Sequence, residues 1–165
     1  MQVQHDLPWL APGSTARLVV SDTLPPQKLV STAFVLAFDS GALLMTYVRA
    51  AERGWNPPGG HCEPGESVVE TATREAREEA CAIVDDLRPF GFQHIRSGAA
   101  ATGGYPHPDS FQVFLLARIV RLEPFTETEE VADRALFLPR HARDLRWVRE
   151  HLPFYERPLT HARAR

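Results

Sequence analysis

Residues Gly59 to Val84 read GGHCEPGESVVETATREAREEACAIV, and the placement of charge in this stretch decides the fold. Ser67 with Glu70 three residues later forms the S-x-x-E pattern of a capping box, so a helix is expected over Ser67 to Ala80. At about 100° per residue, Val69, Ala72, Thr73, Ala76, Ala80 and Ile83 share one arc of roughly 100°, taken as the face toward a sheet. Their small side chains allow close approach. Glu75, Glu78 and Glu79 stand at i, i+3 and i+4 and occupy a second arc centred about 120° from the first. Like charges at this spacing cost a helix a few tenths of a kcal/mol each. Arg74 and Arg77 offset part of that, from another side of the helix. An exposed charged face is the ordinary meaning of such a run. The other meaning is a site for a hard divalent cation such as Mg2+ or Mn2+, for which clustered carboxylates are the ligand set. Gly59-Gly60, a turn that can bring backbone close to a ligand, leads into the helix and favours the second meaning. A phosphate ester held by metal between the turn and the acids is the natural ligand.

Outward from this stretch, Val30 to Phe38 and Ala42 to Val48 flank Asp39-Ser-Gly41 and read as a β-hairpin. Arg17 to Ser21 reads as a strand within a proline-rich arm, residues 1–27. Arg49 to Glu66 holds too many Gly and Pro for regular structure. Phe90 to Arg96, Phe111 to Arg121 and Ala135 to Leu138 read as strands, and Ser97 to Ser110 as a long loop. Arg140 to Leu152 reads as a closing helix, with Leu145, Val148 and Leu152 on one side. The tail, residues 158–165, is basic and expected to fray. Strands, helix, strands, helix suggests one α/β or α+β domain over 1–165, with helices packed on a mixed sheet.

The bulk numbers fit. The chain has 165 residues, 44% hydrophobic and 24% charged, which suits a single core. A net charge of -3 gives no basic field for nucleic acid, so none is expected as a partner. The longest apolar run, Ala33 to Phe38, is too short to span a bilayer. Cys62 and Cys81 form no CxxC pair and read as free thiols. With no signal peptide at the start, a cytoplasmic location is expected.

The stretch resembles the signature of the Nudix family, G-x5-E-x7-R-E-U-x-E-E-x-G-U, where U is bulky and aliphatic. Gly60, Glu66, Arg74, Glu75, Glu78 and Glu79 match in register, and Trp55-Asn-Pro-Pro-Gly-Gly-His61 is similar to the usual lead-in. The aliphatic positions carry only Ala76 and Ala82, and Cys81 replaces the signature's second glycine. A left-handed Cys there costs on the order of 1 kcal/mol, so the helix end is expected either to carry local strain or to be built differently. The resemblance implies a Nudix αβα sandwich and hydrolysis of a diphosphate linkage in a nucleoside diphosphate derivative or triphosphate. The alternative is a catalytically silent nucleotide-binding module. The resemblance makes Glu75, Glu78, Glu79 and the Gly59 carbonyl metal ligands, with Glu78 or Glu79 as base and Arg74 orienting the acids. Glu66 would pair with Arg74. It also implies a further acid from a distant loop: Glu127, Glu129 and Glu130 are candidates, with Glu130, just before Val131, preferred. It allows a homodimer. For the substrate, Gly60, Trp55, Tyr105 and His107 are candidates, the last two from the 97–110 loop; Trp55 reads more as packing than as ligand.

Overall fold

The structure, a computed structural model, describes residues 2–5, 12–50, 53–98 and 108–156. Val30–Asp39 (β3) turns into Ala42–Val48 (β4) through Ser40 and Gly41, whose φ values of 47° and 82° make the tight two-residue turn of a right-twisted hairpin. The two strands pair only next to the turn, at Phe38–Leu43 and Asp39–Ala42. Beyond that β3 takes other neighbours. Asp109–Leu122 (β8) lies parallel to it, and Gly59–His61 (β6) antiparallel. On the far side of β8 follow Ala82–Arg96 (β7), Thr15–Val20 (β2) and Gln2–His5 (β1), each antiparallel to the last. β4 carries Gly54–Asn56 (β5) and Val131–Phe137 (β9). The nine strands of the described residues form one mixed sheet.

Alternation along β3 and β8 divides the core into two layers. Ala33, Val35, Ala37, Val113 and Leu115 face Val68–Ala80 (α1), meeting Val68, Ala72, Ala76 and Ala80. Leu36 and Phe114 face the other way, toward Ala142, Trp147, Val148, Phe154 and Tyr155 of the C-terminal segment. A helix on one face and helical turns on the other make the expected αβα sandwich. No described helix is long and apolar enough to cross a membrane, and both cysteines are free thiols.

Several expectations are corrected. The segment 49–66 is not wholly irregular, because β5 and β6 form there. Gly59 and Gly60 can lie flat in the sheet where larger residues could not: a Cβ on Gly59 would stand 2.3 Å from the Phe34 ring and 2.6 Å from the Ala33 carbonyl oxygen. The arm contributes two strands where one was expected. β7 starts before Phe90, passing Asp86 (φ 52°) and Pro89 by register shifts of the kind bulges provide. The closing helix is divided into Pro139–Ala142 (α2) and Arg146–Glu150 (α3). Pro153 lacks the N–H that would continue α3 and would clash with the carbonyl four residues back. Helical backbone resumes over residues 152–156, with Leu152 39% exposed, and Trp147 and Val148 are the buried residues of α3.

The buried stripe of α1 is also rotated from its expected position. Val69 is 40% exposed and Thr73 lies outside, while Val68, Thr71, Ala72, Glu75, Ala76 and Ala80 are buried. Val68 and Val69 weigh equally on a helical wheel, and packing against the sheet buries Val68. The rotation carries Glu75 into the packed face instead of beside it.

Candidate active site

α1 begins as its sequence indicates. The Ser67 hydroxyl accepts from the Glu70 N–H and the Glu70 carboxylate accepts from the Ser67 N–H, closing the capping box. Glu66, just before it, is held on every side. It accepts from Arg74 Nε at 2.9 Å, from the Thr71 hydroxyl at 2.8 Å and from the Glu63 N–H at 3.0 Å. The Arg74 hydrogen bond, then the Glu63 amide, lower its pKa to about 2.

Arg74 reaches further than its place on the wheel suggests. Nη1 donates to Glu75 at 2.8 Å and to Glu78 at 3.1 Å, and Nη2 donates to the His61 carbonyl at 3.1 Å. One guanidinium thus ties β6, the loop before α1 and two of its acids together, using the fork geometry that lysine lacks.

The acids on the β6 side are held at a cost. Glu75 is 8% exposed, and burial raises its pKa despite Arg74. Burial raises Glu79 to about 7, the charges of Glu75 and Glu130 adding to the effect, while the Gly59 N–H donated to its Oε2 at 2.9 Å works against it. Gly60 makes this closeness sterically feasible, since a Cβ there would lie 2.2 Å from Glu75 Oε1.

Gly59, Gly60, Arg74, Glu75, Glu78, Glu79 and Glu130 all line one cleft of about 1210 Å³. The preferred distant acid therefore lies with the helix acids. Glu129 also lines the cleft, and Glu127 pairs with Arg49. Trp55 does not line it; its ring packs edge-on against Tyr47 and Phe137, because β5 turns it toward the second core layer. Its observed place is in packing. Tyr105 and His107 lie outside the described residues.

Residues not singled out from sequence complete the cleft. Arg49 donates through Nε to the Thr128 carbonyl at 3.1 Å, and its N–H to the Glu130 carbonyl at 2.8 Å, so it clamps the segment bearing Glu130. Arg53, Phe34, Thr32 and Gln112 add a cation, an aromatic ring and two polar groups. Only the residue types of Arg49 and Arg53 could have signalled them, and arginine is common in this chain.

At the other end of α1, Cys81 adopts φ 45° and ψ 40°, the left-handed conformation that glycine normally supplies, so the helix end carries the expected strain. Arg134 of β9 reaches across to close it. Its Nη1 donates to the carbonyls of Ala80 at 2.8 Å and of Glu123 at 2.9 Å, placing positive charge at the negative end of the helix.

The sequence model of the family described as the NUDIX domain matches residues 28–158. The chain belongs to the Nudix family. Among solved structures, this Nudix chain is similar to a Bacillus subtilis pyrophosphohydrolase, BsRppH. The identity is 22%, the match covers 96% of this chain and 98% of that one, and the TM-score is 0.69. It is also similar to a C. elegans Ap4A hydrolase, at 16% identity, 81% and 99% coverage and a TM-score of 0.61. A NUDIX hydrolase from Nitrosomonas europaea matches at 20% identity, 78% and 88% coverage and a TM-score of 0.60. These likenesses establish the shared fold. Family membership, with every charged position of the motif in place, makes this Nudix chain a pyrophosphohydrolase by class.

The donor set suits a hard divalent cation. Burial disfavours the charged forms of Glu75 and Glu79, and neighbouring carboxylates add to it, Glu78 and Glu130 for Glu75 and Glu75 and Glu130 for Glu79; a cation held there would reverse both effects. Among the described residues, no three such side chains are already drawn into a finished cage; Arg74 Nη1 lies between Glu75 and Glu78.

Proposed function

We propose that residues 1–165 act as one Nudix domain that hydrolyses a diphosphate linkage in a nucleoside diphosphate derivative or triphosphate, by attack of water at phosphorus with Mg2+ or Mn2+. The observation that carries this reading is the convergence of Glu75, Glu78, Glu79 and Glu130 with Gly59-Gly60 in one cleft, with the acids of α1 organised by Arg74. The names of similar structures, a pyrophosphohydrolase and an Ap4A hydrolase, are consistent with cleavage of a phosphoanhydride.

Glu75, Glu78, Glu79 and the Gly59 carbonyl would hold the cation, which when bound neutralises phosphate charge and acidifies coordinated water. The protein's own groups do the rest. Arg74 keeps Glu75 and Glu78 in fixed rotamers. Arg53, on the cleft wall, offers a cation to the phosphates. Glu78 or Glu79 accepts the proton of the attacking water as the P–O bond to the leaving phosphate breaks. Arg49 holds the segment that presents Glu130.

The test is a panel of nucleoside di- and triphosphates, nucleotide sugars, ADP-ribose and dinucleoside polyphosphates, each with Mg2+ or Mn2+ and with products identified. Metal-stimulated release of a phosphate-bearing product from at least one is expected. Nucleotide binding with no turnover of any would leave a silent binding module.

A further inference from the structure

The cleft lies where the sheet divides. β3 and β4 pair beside their turn, at Phe38–Leu43 and Asp39–Ala42. Toward the cleft they part: β3 takes β6 at Thr32 to Phe34, and β4 takes β5 at Thr46 to Val48. The acids therefore stand on two walls. Glu75, Glu78 and Glu79 belong to α1, which packs on β3, and Glu79 accepts from the Gly59 N–H of β6 at 2.9 Å. Glu130 immediately precedes β9, which pairs with β4. Consecutive residues Tyr47 and Val48 pair with Asp133 and Val131, so Ala132 is an extra residue, a bulge that bends the strand just beyond Glu130.

Arg134 spans the two walls. It lies opposite Thr46, on the face that Leu44 turns toward α1. Its Nη1 donates to the carbonyls of Ala80 at 2.8 Å and Glu123 at 2.9 Å, with that of Cys81 at 3.4 Å. The Glu123 N–H donates in turn to the Cys81 carbonyl at 2.9 Å. The Phe125 ring lies against the guanidinium, whose carbon is 5.6 Å from the ring centroid. One cation thus ties together the helix end next to Glu79, the start of the segment 123–131 and the strand that follows Glu130. The other end of that segment is held by Arg49, through the carbonyls of Thr128 and Glu130. Capping a helix does not require this reach, because water or a residue close in sequence can satisfy the last carbonyls. Here the donor comes from 54 residues away, on the opposite wall.

We propose that Arg134 is a positioning residue for the hydrolysis: by stapling β9 to the end of α1, it sets the separation of Glu79 and Glu130 across the cleft. The inference rests on the diphosphate reading for what that separation serves. Arg134 touches no substrate and acts through the two acids. Groups that work on one phosphate chain must be held closely, and a misplacement of about 1 Å can lower a rate on the order of 100-fold. Where β3 and β4 have parted, their backbone ladder no longer fixes one wall against the other. A side chain that bridges the gap takes over that role.

Arg134→Met keeps an unbranched side chain and removes the donors. Two measurements test the proposal, both made well below the unfolding temperature of each variant. Amide hydrogen exchange of the metal-free protein should become about tenfold or more faster at Glu123, whose N–H crosses to the Cys81 carbonyl, while the amides around Ala76 in the middle of α1 keep their protection. Unchanged exchange at Glu123 would overturn the proposal. On a substrate that the unmodified protein turns over, Arg134→Met should lower kcat about tenfold or more when Glu130 is present, and less than about twofold in a Glu130→Gln background. An equal loss in both backgrounds would overturn the proposal, because a general weakening of the fold lowers both alike. Faster exchange at Glu123 in a protein that turns over no substrate would remove the hydrolase reading and leave Arg134 as the staple that sets the width of the cleft.

Discussion

The two halves of the motif around α1 treat charge in opposite ways. In the N-terminal half, Glu66, Ser67, Glu70 and Arg74 satisfy one another within the motif, and Glu66 sits at a pKa of about 2. In the C-terminal half, Glu75 is buried, Glu79 is raised to about 7, and the helix ends on a left-handed Cys81 closed by Arg134 from β9. The first half is stabilised by its charges. The second holds carboxylates whose charged forms burial disfavours, which costs the metal-free fold something to keep.

The largest effect that could break this contrast is on turnover. Glu79→Gln or Glu78→Gln should lower kcat by on the order of 100-fold or more while the protein stays folded, as steady-state rates and circular dichroism would show. Full activity in both would remove the functional half of the comparison. Gly60→Ala should act through the same acids. Its methyl would be driven into Glu75 Oε1, costing about 1–3 kcal/mol in thermal unfolding and weakening metal binding, read by titration calorimetry.

A pH titration sharpens the contrast. Glu79 binds its proton more tightly in the fold, about 7, than in the unfolded chain, 4.5. Its contribution to metal-free stability therefore grows as pH falls from about 8 toward 5, and Glu75 acts in the same direction. Glu66 is depressed, so its contribution is present above about 4.5 and is lost only as pH falls toward 2. His151, depressed by burial, opposes Glu79 below 6.5. The difference between the unmodified protein and Glu79→Gln in urea unfolding isolates the Glu79 part. Metal affinity should fall with pH below 7, approaching tenfold per unit, because the proton must leave Glu79 before a cation binds. A flat profile would place Glu79 among the satisfied acids.

The smallest effect is at the helix end. Cys81→Gly should relieve left-handed strain and stabilise by about 0.5–1 kcal/mol, after allowing for the entropy glycine adds to the unfolded chain, with activity unchanged. Loss of stability would mean that the thiol packs better than its backbone conformation suggests.

Legibility in the sequence followed the range of the interaction. The capping box, the Ser40-Gly41 turn and the spacing of Glu75, Glu78 and Glu79 all depend on neighbours within a few residues, and all were readable. Glu130 was reachable as an acid in a loop, although its place beside Glu79 was not. Val68 and Val69 were indistinguishable until the sheet packed against α1. The short β5 and β6 were hidden because Gly and Pro usually signal turns, whereas here glycine is what the crowded sheet admits. Arg134 looked like one arginine among many, since nothing near it in the chain shows that it reaches α1.

The sequence by itself determined the helix, its cap, the family and the set of acids, because local hydrogen bonds and side-chain periodicity repeat within a turn or two of chain. Only the tertiary structure decided which acids would be buried, which arginines would hold them, and that an arginine of β9 would reach the end of α1. Those outcomes depend on desolvation and on distances between strands remote in sequence, and neither quantity exists until the sheet has closed around the helix.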